Sequence, residues 1–287
     1  MAPPTAPRIA AGRRHSVGIA ADGTVLTVGR AGDPELDTGS WRDVVAVAVG
    51  SVHTAGNTGR SHTVGLRRDH TVLATGWNGD GQCEVRDWRE VVQVAAGWRR
   101  TLAVLADGTA RAAGRRAEGA TDVQTWTDLV AVSAGDWHSV GLRTDGTAVA
   151  VGNDQRGQCR VEECRVEEWH DLVAVAAGHL HTVGLRRDGR VVATGSSGAA
   201  HTGTWREVVA VAAGSSHTVG LTADGRVLAV GDDRDGRCGV GSWRDVVEVA
   251  AGSAHTLGLR ADGTVLATGD PADGRCAVDG WRLAPSR

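Results

Sequence analysis

Short runs of β-branched and small apolar residues, each closed by a glycine, return along this chain at a steady interval. Residues 208–214 read Val-Val-Ala-Val-Ala-Ala-Gly, the pattern of a strand packed where neighbouring strands crowd together. Two further apolar runs follow, 217–221 and 226–231, joined across Asp224-Gly225, a two-residue hairpin signal. The same turn recurs at Asp22-Gly23, Asp107-Gly108, Asp145-Gly146, Asp188-Gly189 and Asp262-Gly263, with Asp69-His70 as the one departure. A weaker fourth strand is expected near Cys238 and Val240. No stretch has a sustained helical period, so each unit predicts one small antiparallel sheet.

The units can be counted. Tryptophans mark the phase at Trp41, Trp88, Trp126, Trp169, Trp205, Trp243 and Trp281, spaced by 47, 38, 43, 36, 38 and 38 residues. The glycine ending the first run appears as Gly12, Gly50, Gly97, Gly135, Gly178, Gly214 and Gly252, which makes seven units. The first unit lacks its tryptophan half, and Trp281-Arg282-Leu283 supplies one at the other end of the chain. A closed ring explains this division better than an open solenoid or a sandwich, because a blade shared by the termini removes exposed sheet edges. The expectation is an all-β fold: a seven-bladed β-propeller whose ring is closed by N- and C-terminal segments sharing one blade. Residues 1–7 are expected to be a disordered N-terminal stub, 8–283 a single propeller domain and 284–287 a C-terminal tail.

Composition narrows the chemistry. The 287 residues are 41% hydrophobic, enough for one large repeat domain. There is no Phe, Tyr or Lys, so ten tryptophans carry all the aromatic packing and every basic residue of the 31 is an arginine. Schiff-base and P-loop lysine chemistry are thereby excluded. A formal net charge of -3 gives no general basic surface for nucleic acid. The N-terminal residues have no apolar core to act as a secretory signal, and no segment reads as a membrane span. The expectation is a cytoplasmic protein, and the Arg-, Ala- and Gly-rich composition suits a genome rich in G and C.

Gly-x-x-His-(Ser/Thr)-x-x-Leu, then Asp-Gly-x-Val, then Gly-(Gln/Arg)-Cys, resembles the repeat of the regulator of chromosome condensation family, in a short bacterial version. The resemblance runs from about Ile9 to Trp281. It implies a seven-bladed propeller, in agreement with the count. It also implies a range of functions: nucleotide exchange on a small GTPase, ultraviolet-B sensing in plants, β-lactamase inhibition, and partner-binding scaffolds. Fold alone does not choose among them.

Repeat-phase residues generally serve the repeat. His15, His62, His138, His181, His217 and His255 could ligate a metal if they converged on the axis. Arg100 breaks that symmetry, and the favoured role is fixing the bend after each glycine by hydrogen bonding to backbone. Cys83, Cys159, Cys238 and Cys276 share one phase and read as small buried fillers, with Cys159 and Cys164 as a local redox pair the weaker alternative. No catalytic motif occurs, so no enzyme and no cofactor are expected.

Departures from the pattern point to function. Trp98-Arg99-Arg100 and Trp137 replace small or polar residues of the Gly-x-x-His segment, and Trp77 stands in the loop before Gly81-Gln82-Cys83. Trp and Arg are the types most enriched at binding hot spots. Residues 51–59, which contain His53, and 160–168 look like tandem slips, and such insertions emerge where repeat proteins bind partners. The candidate partner-binding residues are Trp98, Arg99, Arg100, Trp137, Trp77 and His53. Gly97-Trp98-Arg99-Arg100-Thr101 is similar to the Gly-Trp-Arg-His-Thr motif of the plant ultraviolet-B photoreceptor. The expected function is a non-catalytic protein-interaction scaffold with a protein partner, no nucleic acid and no membrane. Regulation of a small GTPase is the alternative, and ultraviolet-B sensing a third reading.

Overall fold

In the computed structural model, residues 6–50, 61–160, 169–195 and 198–283 are described. They form seven three-stranded antiparallel sheets, each built from strands consecutive in the chain. Blade 1 comprises β1 (Ile9–Ala11), β2 (His15–Ile19) and β3 (Val25–Gly29), and blade 2 β4 (Val44–Val49), β5 (His62–Arg67) and β6 (Val72–Gly76). Blade 3 holds β7 (Val91–Gly97), β8 (Arg100–Leu105) and β9 (Ala110–Gly114). Blade 4 holds β10 (Leu129–Ala134), β11 (His138–Arg143) and β12 (Ala148–Gly152). Blade 5 follows with β13 (Leu172–Ala177), β14 (His181–Arg186) and β15 (Val191–Gly195). Blade 6 has β16 (Val208–Ala213), β17 (His217–Thr222) and β18 (Val227–Gly231), and blade 7 β19 (Val246–Ala251), β20 (His255–Arg260) and β21 (Val265–Gly269).

The first strands contact one another in succession, β1, β4, β7, β10, β13, β16 and β19, and β19 returns to β1. Their Ala and Ser side chains, among them Ala48, Ala95, Ser133 and Ala212, line a narrow axial channel of about 250 Å³. Small residues are required there because seven strands meet at the axis. Between blades lie separate apolar clusters, each anchored by a phase-marking tryptophan such as Trp88, Trp126 or Trp205.

The three strands of blade 1 all come from the N-terminal side, and the C-terminal segment lies against them. Leu283 bridges Ala20 and Arg282 bridges Thr264. Trp281 lies against Gly18, as Trp41 lies against Gly65 in the next blade, so that a Cβ on either glycine would come 2.7 Å from the ring. Glu248 on β19 receives the backbone N–H of Arg8 at 2.7 Å and of Ile9 at 3.0 Å. Gln93, at the same repeat phase, makes the corresponding bond to the Val132 N–H at 2.9 Å. A link used inside the ring thus also joins its two ends.

One expectation needs correction here. No fourth strand forms near Cys238 and Val240. That segment turns repeatedly, with Gly239 N–H on Gly236 O, Val240 N–H on Cys238 O and Trp243 N–H on Val240 O, and local bonds of this kind leave no extended ladder. At Asp69-His70, His70 takes φ 64 and so adopts the left-handed geometry that glycine supplies in the sister turns. Its Nδ1 reaches Val91 O at 3.0 Å, which helps hold that conformation.

Candidate functional site

The second strand of most blades opens with His followed by Thr or Ser, and the structure shows why. Each imidazole Nε2 meets the hydroxyl of the following blade: His15 with Thr63 at 3.0 Å, His62 with Thr101 at 2.9 Å, and His138 with Thr182 at 2.7 Å. His181 with Thr218, His217 with Thr256 and His255 with Ser16 complete the circuit at 3.0, 2.8 and 2.8 Å. Each hydroxyl in turn donates to a carbonyl, for example Thr63 to Glu35 O and Thr256 to Arg237 O, both at 2.7 Å. A hydroxyl has one proton to give. It therefore accepts from the ring, which fixes the Nε2–H tautomer and leaves Nδ1 of His15, His138, His181, His217 and His255 without a partner. Burial holds His15 and His217 down to about 3 and His62 and His181 to about 4, so these girdle imidazoles are neutral at pH 7.

The histidines are structural, but their partner is the next blade's hydroxyl and not the backbone of their own bend. The short turn lays each ring over its own glycine, where a Cβ on Gly12 would lie 2.8 Å from His15 Cε1, and aims Nε2 across the blade boundary. Among the described residues no group of three or more His, Cys, Asp or Glu comes together to hold a metal.

Blade 3 solves the same problem with a longer donor. Arg100 places Nε 3.0 Å from Ser139 Oγ and sends its remaining N–H groups to Gly135 O at 2.6 Å, His138 O at 2.5 Å and Asp136 O at 3.0 Å. It is fully buried, and burial lowers its pKa to about 10 against the raising influence of Asp136 and Glu118.

Beside this girdle, at the turns between the first and second strands, the off-pattern residues converge. Trp98 and Trp137 meet edge to face with ring centroids 4.3 Å apart. The Arg99 guanidinium lies 4.7 Å from the ring centroids of both Trp77 and Trp98, and Arg115 covers Trp98 at 5.2 Å. His179 lies 6.4 Å from Trp137 and bonds Asp136 Oδ2 through Nδ1 at 2.8 Å. Asp80 pairs with Arg99 at 3.4 Å and Glu118 with Arg115 at 2.7 Å. Arg99 is held at φ 59, a left-handed conformation that costs a non-glycine residue roughly 1–3 kcal/mol. The result is a continuous aromatic and cationic arc drawn from blades 2, 3, 4 and 5 around one mouth of the channel. Its Trp137, Arg99 and Trp77 are half-buried, and Trp98 is 9% exposed. The buried Nε1 of Trp98 and Nε of Arg99 have no hydrogen-bond partner.

The repeat itself matches the model of the regulator of chromosome condensation (RCC1) repeat over residues 57–82, 129–158, 172–199, 208–237 and 246–275. The chain belongs to the RCC1 repeat family. No curated protein matches it in sequence. Among solved structures, human WBSCR16 is similar with a TM-score of 0.68 and 20% identity, over 88% of this chain and 87% of that one. Prp20p from Saccharomyces cerevisiae, which has binding properties to Gsp1p and histones, gives a TM-score of 0.64 and 18% identity over 85% and 76%. The CRINKLY WD40 ectodomain of the Arabidopsis thaliana receptor kinase ACR4 gives 0.61 and 20% over 78% and 80%. At these identities the likeness establishes the fold.

Within the RCC1 units, four of the six candidate residues lie together: Trp77, Trp98, Arg99 and Trp137. Arg100 does not face outward, because its donors are spent on Ser139 and four carbonyls inside the fold, those of Trp98, Gly135, Asp136 and His138. His53, with the insertion 51–59, and Cys164, with nearly all of 160–168, lie outside the described residues. The described flanks of the first insertion, Gly50 and Ser61, are joined by Ser61 Oγ donating to Gly50 O at 2.6 Å. Sequence reading missed Asp80, Arg115, Asp136 and His179. His179 carried a signal, since the equivalent positions of blades 6 and 7 are Ser215 and Ser253. The four described cysteines are free and half-buried, not buried fillers. Their thiols lean on loop carbonyls, as Cys159 Sγ does on Asn153 O at 3.4 Å. Burial pushes Cys83 up to about 11 and Cys159 to about 12, which suppresses the reactive thiolate.

Proposed function

We propose that this RCC1-repeat propeller is a non-catalytic interaction module that docks a protein partner on the channel mouth carrying Trp77, Trp98, Arg99 and Trp137. The observation behind this reading is the convergence of off-pattern residues from successive units into one arc, although the fold does not require their side chains. A strained Arg99 stacked between two tryptophans is a pre-ordered surface, and pre-ordering lowers the entropy lost on docking. Trp137→Ala and Arg99→Ala, each with an unchanged melting temperature, are expected to weaken the complex at least about tenfold, as central aromatic and Arg anchors do. Equal affinity of both variants and the parent protein for the captured partner sinks the assignment.

Regulation of a small GTPase is the second reading, supported by family membership and by the likeness to Prp20p. Exchange by this route needs no catalytic side chain, since distortion of the bound GTPase releases the nucleotide. Faster release of labelled GDP from a GTPase of the native organism, lost in Trp137→Ala, supports it. The Trp98–Trp137 pair beside two arginines also favours testing an ultraviolet response. An elution volume unchanged by irradiation near 280–300 nm, the wavelengths at which indoles absorb, disposes of it.

A further inference from the structure

A second site lies at the other end of the strands, where β14 turns into β15 and meets the loop entering blade 6. Arg186, Arg190, Arg206, Thr202, Val191 and Ala193 line a pocket of about 390 Å³ there. The volume is within the range of small-ligand sites. Thr202 is 1% exposed, yet its hydroxyl has no hydrogen-bond partner, and the buried Nε of Arg186 has none either. Two unsatisfied buried donors in one pocket are costly unless something accepts from them.

The repeat shows that these residues are not demanded by the fold. Units entering blades 3, 4, 7 and 1 place Val85, Val123, Val240 and Val278 at the phase of Thr202. The unit entering blade 2 places Thr38, whose hydroxyl, unlike that of Thr202, donates to a carbonyl, Val25 O at 3.4 Å. Three arginines coincide here alone. Blade 2 has Arg67, Thr71 and Arg89 at these phases, blade 3 Leu105, Thr109 and Thr127, blade 4 Arg143, Thr147 and His170, and blade 6 Thr222, Arg226 and Arg244. Blade 7 has Arg260, Thr264 and Arg282, and blade 1 Ala20, Thr24 and Arg42. Arg206 is fixed in place by Nη1 donating to Gly203 O at 2.9 Å and Trp205 O at 2.7 Å. One carboxylate tempers the set. Asp188 lies 4.0 Å from Arg186 Nε and 3.7 Å from Arg190 Nε, leaving three cations against one anion.

We propose that this pocket binds a phosphate dianion, either free or as the monoester of a small organic body. Arginine forks and a hydroxyl donor suit phosphate oxygens, with Arg providing paired N–H groups in a plane. The apolar wall of Val191 and Ala193 and the volume beyond one anion leave room for the organic part of a monoester. The site is independent of the tryptophan arc.

The test is calorimetric titration of the full chain with inorganic phosphate and with propyl phosphate, at fixed ionic strength and with sodium chloride as the control titrant. Thr202→Val installs the residue found at this phase in other units, and Arg186→Gln removes the buried donor's charge. Arg226→Gln, at the Arg190 phase of blade 6, is the control. Saturable binding weakened about tenfold in Thr202→Val and Arg186→Gln, and unchanged in Arg226→Gln, is expected, since a hydrogen bond to a charged group is of that order. Tighter binding of propyl phosphate identifies a monoester ligand, and equal binding identifies the free anion. No saturable heat below about 10 mM, an affinity of less than about 3 kcal/mol, overturns the proposal. So does equal binding by all four proteins.

Discussion

The turns around one channel mouth divide into two arcs built on the same backbone. In blades 3 and 4, Trp98 N–H and Asp136 N–H donate to the glycine carbonyl of the following blade at 3.3 and 3.2 Å. In blades 6 and 7, Ser215 N–H and Ser253 N–H make the same bond at 3.2 and 3.1 Å. Beneath both runs the same girdle of donor and hydroxyl. The side chains above it differ completely: Trp98, Arg99, Asp136, Trp137 and His179 on one side, Ser215, Ser216, Ser253 and Ala254 on the other. Backbone and girdle hold the ring in both arcs, while the residue types at the two turn positions differ from blade to blade.

Several experiments can break or sharpen that contrast. The largest effect is expected from Arg100→Ala, the one place where the rich arc is also part of the girdle. It leaves Asp136 O without its Arg100 donor and takes the second donor from Gly135 O and His138 O, which keep Trp98 N–H and Gly135 N–H. It also opens a void where the guanidinium lay, so it should cost about 3 kcal/mol by urea unfolding. His217→Ala, its counterpart in the plain arc, should cost about 2 kcal/mol. Acid should attack both arcs together. Burial holds every girdle histidine below 6.5, His15, His62, His181 and His217 to about 3 to 4, so the unfolded chain takes up protons first as pH falls. Their stability is present above about pH 6.5 and drains away toward pH 4. Urea midpoints at pH 7 and pH 5 should differ by roughly 1 kcal/mol or more per histidine. Glu248→Ala tests closure away from either arc. A loss of about 1–3 kcal/mol is expected, with faster hydrogen exchange at Ile9 while Val132 in blade 4 keeps its protection. The smallest effect belongs to Ser216→Trp, which copies Trp137 into the plain arc. A half-buried turn position should move stability by no more than about 0.5 kcal/mol. A loss several times larger would show that the plain arc is constrained by the fold after all.

Much of the ring could be read from residue order alone. Trp41 and Gly65 are a steric pair, as are Trp281 and Gly18, and each must recur with its blade. The Asp-Gly turns also announce themselves, because few other residues accept positive φ. Trp77, Trp98, Arg99 and Trp137 stood out as single exceptions, but their meeting depends on the angle between blades, which periodicity does not encode. Arg100 was named as a partner-binding residue because Arg is enriched at binding hot spots. Its burial depends on three carbonyls about 35 to 38 residues away. The histidine partners were hidden for the same reason: His62 and Thr101 are 39 residues apart, and only ring geometry makes them neighbours. A fourth strand was expected near Cys238 and Val240, but the turn-rich loop there forms local bonds instead.

The girdle has a direction. Every link runs from a donor in one blade to a hydroxyl in the next, and the sense never reverses before the circuit returns to Ser16. Each blade therefore carries a plug on one flank and a socket on the other. A unit copied within the gene arrives with both fittings already matched, and a ring assembled this way can gain, lose or exchange a segment without redesigning its neighbours. Unit three shows the tolerance of the fitting, since an arginine serves as the plug once nearby carbonyls take up its extra hydrogens. Such a joint lets a lineage revise one turn at a time while the disc itself stays whole.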